Sequence, residues 1–319
     1  MDESLRIELF GGFRATYRGK LLASIDTPRL QALLAYVALR RGTPQPRQRI
    51  AFTFWPDSTE KQAFTNLRKL LHVLRKALPD ADRFLRVETR TITWLTDGPS
   101  TLDVAAFERS LVRAEEALQR ANKDSAQECF VEAIELYQGE LLPGLYDDWL
   151  VPEREHFHRQ AVSALEGLTG LLESRRDYAE AIRYGGRLVQ LEPLREPSYR
   201  LLMRLHALRG DRAGALRIYR DASRILLEQL DTEPEPATHA LYVQLTKGEL
   251  PRAASPANRS EAGIPLVGRR AEWNDLLAAW SLASEGAAHL LIVTGVAGIG
   301  KTRLAEELLT WAARQGVAT

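Results

Sequence analysis

A six-residue phrase limits what this chain can fold into. Asp177-Tyr178-Ala179-Glu180-Ala181-Ile182 returns 34 residues later as Asp211-Arg212-Ala213-Gly214-Ala215-Leu216. Both copies open segments of helical periodicity, and almost all of residues 102–245 reads as helix. A fixed period of this length marks stacked helix–turn–helix units, each burying its apolar face on its neighbour. Small residues at 179/213 and 181/215 predict close approach of the paired helices. Ala126, Ala133, Leu136 and Tyr137 point to a further helix of the same kind at irregular spacing.

The first 97 residues keep a different rhythm. Leu5 to Phe13 alternates apolar and polar residues into a Gly11-Gly12 turn, as small antiparallel strands do. At Thr27-Pro28 the period becomes helical, with Leu30, Leu33, Leu34, Val37 and Ala38 on one stripe. Thr27 suits an N-cap and Pro28 the first helical position, and Gly42, Pro44 and Pro46 stop the run. A short helix near residues 49–54 and a turn at Trp55-Pro56-Asp57-Ser58 precede a longer helix over 59–78. Beyond Pro79, residues 84–87 and 91–95 read as a hairpin. The order is small sheet, three helices, hairpin.

The 59–78 helix has two unlike faces. Ala63, Phe64, Leu67, Leu70, Leu71, Leu74 and Leu78 form the core side. Gln62, Thr65, Lys69, His72 and Lys76 lie opposite, flanked by Lys61, Asn66, Arg68 and Arg75. Polar heads near a helix start suit base edges in a major groove, and Arg and Lys further along suit phosphates. A solvated basic face is the plain alternative. The hairpin that follows favours nucleic acid, because it sets a wing beside the helix, with Arg90 at its turn. Arg47 and Arg49, at the start of the preceding helix, are further phosphate candidates.

Charge is divided in the same way. Residues 1–97 hold 17 Lys/Arg against 10 Asp/Glu, and the remainder 26 against 32, so a net +1 conceals a basic first part and an acidic second. No apolar run approaches the ~20 residues of a membrane span, and because the start is acidic with no long apolar core after it, a secretory signal is not expected. A single cysteine, Cys129, excludes an internal disulfide. A cytoplasmic location is expected. Glu153/His156 and Glu155/His158 have metal-ligand spacing, but they overlap on one helix and point apart, so no metal site is expected there.

Pro251 to Pro265 has linker composition. Past it, a β-rich run, Leu290 to Val293, leads into Gly295-Val296-Ala297-Gly298-Ile299-Gly300-Lys301-Thr302, which fits G-x-x-x-x-G-K-[ST]. Backbone N–H groups freed by Gly295, Gly298 and Gly300 cradle phosphates, Lys301 reaches the β/γ-phosphates, and Thr302 binds the Mg2+ of an ATP complex. Only 17 residues follow Thr302. The Walker-B acid and a water-positioning group are therefore not expected in this chain, nor is ATPase turnover by it.

Three segments together resemble the bacterial antibiotic-regulatory-type transcriptional activators. Trp55-Pro56-Asp57, Asn66-Leu67-Arg68 and Leu74 to Leu78 resemble their OmpR-like winged helix. Leu141-Leu142-Pro143-Gly144, Asp148-Trp149, Leu191 to Glu196, Gly210-Asp211-Arg212 and Glu233-Pro234 resemble their bacterial transcriptional activator domain. Leu266 to Arg269 and the phosphate loop resemble the opening of a signal-transduction ATPase.

The resemblance implies a multidomain, mainly α protein: a winged helix-turn-helix (α+β) over 1–97, a tetratricopeptide-like all-α repeat domain over 98–248, a linker over 249–264, and the truncated start of an α/β P-loop NTPase over 265–319. It implies binding to promoter repeats in double-stranded DNA, recruitment of RNA polymerase through the loop at Trp55, Pro56 and Asp57, and control by ATP and Mg2+ in the full-length protein. Val267 to Arg269 would then lie near the adenine. Dimers or tandem copies are expected, because one half-site binds weakly. A helical-repeat scaffold and a signalling ATPase remain the alternatives.

Overall fold

The structure, a computed structural model, describes residues 4–248. They fall within one compact unit spanning residues 1–251. The expected linker, 249–264, and the expected ATPase start, 265–319, with its phosphate loop, lie outside the described residues.

The N-terminal sheet joins β1 (Leu5–Glu8), β2 (Arg14–Tyr17), β3 (Lys20–Leu21) and β7 (Ser100–Leu102). β1 and β2 are antiparallel, as are β2 and β3, and β7 runs parallel to β1. Alternation sends Leu5, Ile7, Ala15, Tyr17 and Leu102 inward and Arg6, Arg14 and Thr101 outward. The expected boundary at 97/98 falls just ahead of β7.

Three helices follow and share one core with this sheet. α1 (Pro28–Leu39) is apolar nearly all round and buries Leu30 and every residue from Ala32 to Ala38, as a helix enclosed on all sides does. Thr27 holds its N-cap position, but the side chain makes no cap hydrogen bond. α2 (Arg47–Phe54) leads into α3 (Glu60–Ala77), where Thr59 accepts from the Gln62 amide at 3.4 Å. Ala63, Leu67, Leu71, Leu74 and Leu78 are buried. Phe64 and Leu70, also expected in the core, are half-buried because they flank the stripe. A second sheet contains β4 (Gln45–Pro46), β6 (Thr91–Trp94) and β5 (Leu85–Val87), in that order.

The repeat domain follows: α4 (Asp103–Gln119) packs on α5 (Lys123–Leu136), α6 (Leu150–Ser174) on α7 (Tyr178–Leu191), α8 (Glu196–Leu208) on α9 (Arg212–Leu230), and α10 (Pro236–Lys247) closes the end. Its periodicity is clearest at the turns. Asn122, Asp177 and Asp211 each cap the second helix of a pair, accepting from the amides of Ser125, Glu180 and Gly214. A left-handed residue precedes each cap: Ala121 (φ 58°), Arg176 (φ 62°) and Gly210 (φ 87°). The first pair is out of register because the loop between Tyr137 and Leu150 is longer than its counterpart and α6, with 25 residues, is longer than α8, with 13. Close approach comes from Ala181 and Ala215, both fully buried. Ala179 and Ala213 are instead exposed, because residues two apart on a helix face different ways.

One hydrophobic core runs from Leu5 to Ala161, through both sheets, the three N-terminal helices and parts of the repeat domain. Phe10 is its hub, with ring centroids 5.4 Å from Phe107, 5.0 Å from Tyr137 and 5.5 Å from Phe157. The Leu9 and Phe10 amides donate to Asp103 Oδ2 at 2.7 and 2.9 Å.

Candidate nucleic-acid interface

α3 presents its polar face to solvent because its apolar stripe is taken up by the core. Gln62, Arg68, Lys69, His72, Arg75 and Lys76 are exposed, while Thr65 and Asn66 are half-buried. Gln62 Nε2 donates to Asn66 Oδ1 at 2.9 Å. Thr65 Oγ1 donates back to Lys61 O at 2.8 Å, so its proton is turned into the helix.

The β5–β6 hairpin stands beside α3, with Arg90 exposed at its turn. Its hand is fixed from below. The Arg47 amide donates to Arg90 O at 2.9 Å, and Arg47 Nη1 donates to Glu88 O at 3.4 Å. Between helix and hairpin lies an open groove of about 500 Å3, lined by Arg47, Arg68, His72, Arg75 and Lys76 and also by Asp80 and Asp82. The cations are drawn from two helices; the acids come from the turn after Leu78-Pro79. Asp80, left-handed at φ 52°, turns the chain there, and its carboxylate accepts from Tyr17 Oη at 2.5 Å. That bond raises the Tyr17 phenol above its ordinary pKa. Asp82 pairs with Arg75 at 2.6 Å. The acids were not foreseen as part of the site; the sole sequence signal was an Asp two residues after a helix-ending leucine.

The loop before α3 holds Trp55 half-buried and Pro56 and Asp57 exposed. Trp55 packs beside Phe54, with centroids 5.9 Å apart, and Phe54 in turn meets Trp149. The candidates Gly295, Gly298, Gly300, Lys301 and Thr302 lie outside the described residues. The Glu/His pairs on α6 diverge: Glu153 joins Arg40 at 3.0 Å and His158 joins Glu192 at 2.6 Å. Among the described residues, no helix is long and apolar enough to cross a membrane.

Comparison with known proteins addresses the helical half directly. The bacterial transcriptional activator domain family matches residues 102–246, which run from the end of β7 through nearly all of α10. This stretch, hereafter the activator domain, is therefore similar to that family. An AAA ATPase domain matches residues 265–319. The chain is 27% identical to the regulatory protein AfsR of Streptomyces coelicolor over 320 residues, covering 95% of this chain and 32% of that protein. It is 29% identical to AfsR of Streptomyces griseus, with the same coverage. It thus spans about a third of the length of the curated relatives it matches. A structure of Mycobacterium tuberculosis EmbR in complex with a low-affinity phosphopeptide shares the fold, with a TM-score of 0.64 over 86% of this chain and 71% of that one, at 20% identity. The resemblance to antibiotic-regulatory-type activators therefore holds at the level of domains, relatives and fold.

Within the activator domain, the loop at Leu141 to Leu145 is clamped by one side chain. Arg154 Nε donates to Leu141 O at 2.9 Å, and Nη2 donates to Leu142 O and Leu145 O at 2.6 and 2.7 Å. The Leu142 amide donates to Leu9 O at 2.8 Å. The activator domain is thereby bonded to the sheet under the winged helix.

Proposed function

We propose that this chain is the DNA-reading part of a bacterial transcriptional activator. α3 enters the major groove of promoter DNA and the wing at Arg90 braces it. The observation that carries this reading is the cation-lined groove between α3 and the hairpin, continuous with the exposed polar start of α3. Lys69, Lys76 and Arg68 supply phosphate charge, while Gln62 and Asn66 face bases. Winged helix (1–97) and activator domain (98–248) act together on repeated half-sites, as a dimer or as tandem copies. The loop at Trp55, Pro56 and Asp57 meets RNA polymerase. In the full-length protein, ATP and Mg2+ at Gly295, Gly298, Gly300, Lys301 and Thr302 bias the DNA-competent state.

Fluorescence anisotropy of the chain on promoter DNA flanking its own gene, at two salt concentrations, tests the reading. Binding should exceed that to random duplex, fall steeply with salt, and weaken in Lys69→Ala/Lys76→Ala. Equal affinity for both duplexes together with an unaffected double variant would sink it and favour a scaffold.

A further inference from the structure

Arg47, Arg68, Arg75 and Lys76 line the α3–wing groove, yet the groove also contains a carboxylate aimed at one of these cations. Asp82 sits in the 3-10 turn Ala81–Arg83, held at its start by buried Ala81 and by the left-handed Asp80, whose own carboxylate is engaged by Tyr17. The turn is thus fixed, and it sets Asp82 Oδ1 2.6 Å from Nη2 of Arg75, in the last turn of α3. Asp82 keeps 80% of its side chain exposed and Arg75 47%. No packing role accounts for so exposed an acid on this face.

From this geometry we infer that Asp82 is a specificity-determining residue: it occupies Arg75 as a phosphate would, and so weakens binding to DNA of the wrong sequence. The inference rests on the DNA reading proposed above. A phosphate entering the groove must displace Asp82 from Arg75 before it can use that cation. An exposed ion pair is weak and easily exchanged, so a duplex held in register by base contacts can displace it. A duplex held by phosphates alone gains one cation fewer. Non-specific affinity comes almost wholly from such charge contacts, so it bears the larger loss, and the ratio of specific to non-specific binding rises.

The whole chain titrated with a random-sequence 20-base-pair duplex across a salt series provides the test. Asp82→Asn should bind this duplex about 3- to 10-fold more tightly at low salt, with a log–log salt slope steeper by about one released counterion. In an Arg75→Ala background the same substitution should change affinity less than twofold, because no cation remains to be freed. Asp82→Ala should repeat the gain, and melting temperatures should confirm that each variant folds. A gain that persists without Arg75 would overturn the inference, since Asp82 would then be repelling DNA rather than holding Arg75. Unchanged or weaker binding by Asp82→Asn would overturn it too, provided the wild type binds and Lys69→Ala weakens it. If the wild type does not bind any duplex in a salt-dependent way, the DNA reading itself fails.

Discussion

Trp149 stacks on Phe54 with ring centroids 6.3 Å apart and planes 23° from parallel. One ring belongs to the end of α2 and the other stands at the start of α6, within the activator domain. Tyr36 of α1 meets Trp149 edge-on at 5.1 Å, and the Arg40 guanidinium lies 4.0 Å from the Tyr36 ring centre and 5.5 Å from that of Trp149. Arg29–Asp147 at 2.6 Å and Arg40–Glu153 at 3.0 Å flank the stack. The helices that position α3 are thereby fastened to the activator domain by a buried aromatic joint.

Loss of that joint should be costly. Trp149→Ala removes a nearly buried ring, so about 3 to 5 kcal/mol of stability should disappear, lowering the melting temperature by about 10 °C. Trp149→Phe should cost far less. The indole Nε1 is buried with no hydrogen-bond partner among the described residues, so removing that N–H relieves a desolvation penalty of about 1 to 3 kcal/mol while keeping the stack. Thermal melts of both variants check this, and equal losses would contradict it.

The left-handed residues before the repeat caps yield a prediction of the opposite sign. Gly210 takes its φ of 87° without strain, but Ala121 and Arg176 hold the same kind of turn with a Cβ. Both are exposed, so no packing is lost on change. Ala121→Gly and Arg176→Gly should each stabilise the chain by about 0.5 to 1 kcal/mol, read as a higher urea midpoint at unchanged slope. A fall in either midpoint would mean that the turn is not left-handed in solution.

These turns also mark how far the sequence could be read. α3 and the wing hairpin were legible because an 18-residue amphipathic pattern and two β-rich runs are long signals. The two later repeats announced themselves through Asp177 and Asp211. The first did not, because Asn122 stands in for Asp and a longer loop and a longer α6 break the spacing. β4 and β7 have two and three residues, too few for alternation to show. The bond from the Phe10 amide to Asp103 spans 93 positions, a separation at which local pattern carries no information. The groove's cations were readable from α3 itself, but Asp82 enters only through the left-handed turn at Asp80, which an aspartate does not advertise as a glycine would.

Two aspartates should give opposite pH dependence. Burial pushes the Asp103 carboxyl up, against the pull of the Phe10, Leu9 and Val104 amides. Its folded value lies above the ordinary 3.8, so the fold binds this proton more tightly than the unfolded chain does. The associated stability is complete below the ordinary 3.8 and is lost as pH rises through the folded pKa. Asp211 is pulled down by the Gly214 amide and then by His206. Its contribution is complete above 3.8 and is lost as pH falls through its lowered value. Urea midpoints of Asp103→Asn and Asp211→Asn, each compared with wild type from about pH 3 to 7, should therefore diverge. The wild type should lose ground to Asp103→Asn as pH rises, and its advantage over Asp211→Asn should fade in acid. Parallel curves would refute the assignment.

On α3 the charged and amide side chains should separate by what they change. Gln62 Nε2 donates to Asn66 Oδ1, which leaves an acceptor on Gln62 and donors on Asn66 side by side. An adenine edge offers the matching N6 donor and N7 acceptor. Gln62→Ala and Asn66→Ala should therefore cost about 1 to 3 kcal/mol of discrimination at one base pair, with little effect on random duplex. Lys69→Ala and Arg90→Ala should do the reverse, weakening binding to every sequence alike and reducing the salt slope by about one. Titrations against the promoter, a single-base-pair series and random DNA distinguish the two patterns. Uniform weakening by Gln62→Ala would make α3 a phosphate-binding helix and shift base reading to the wing.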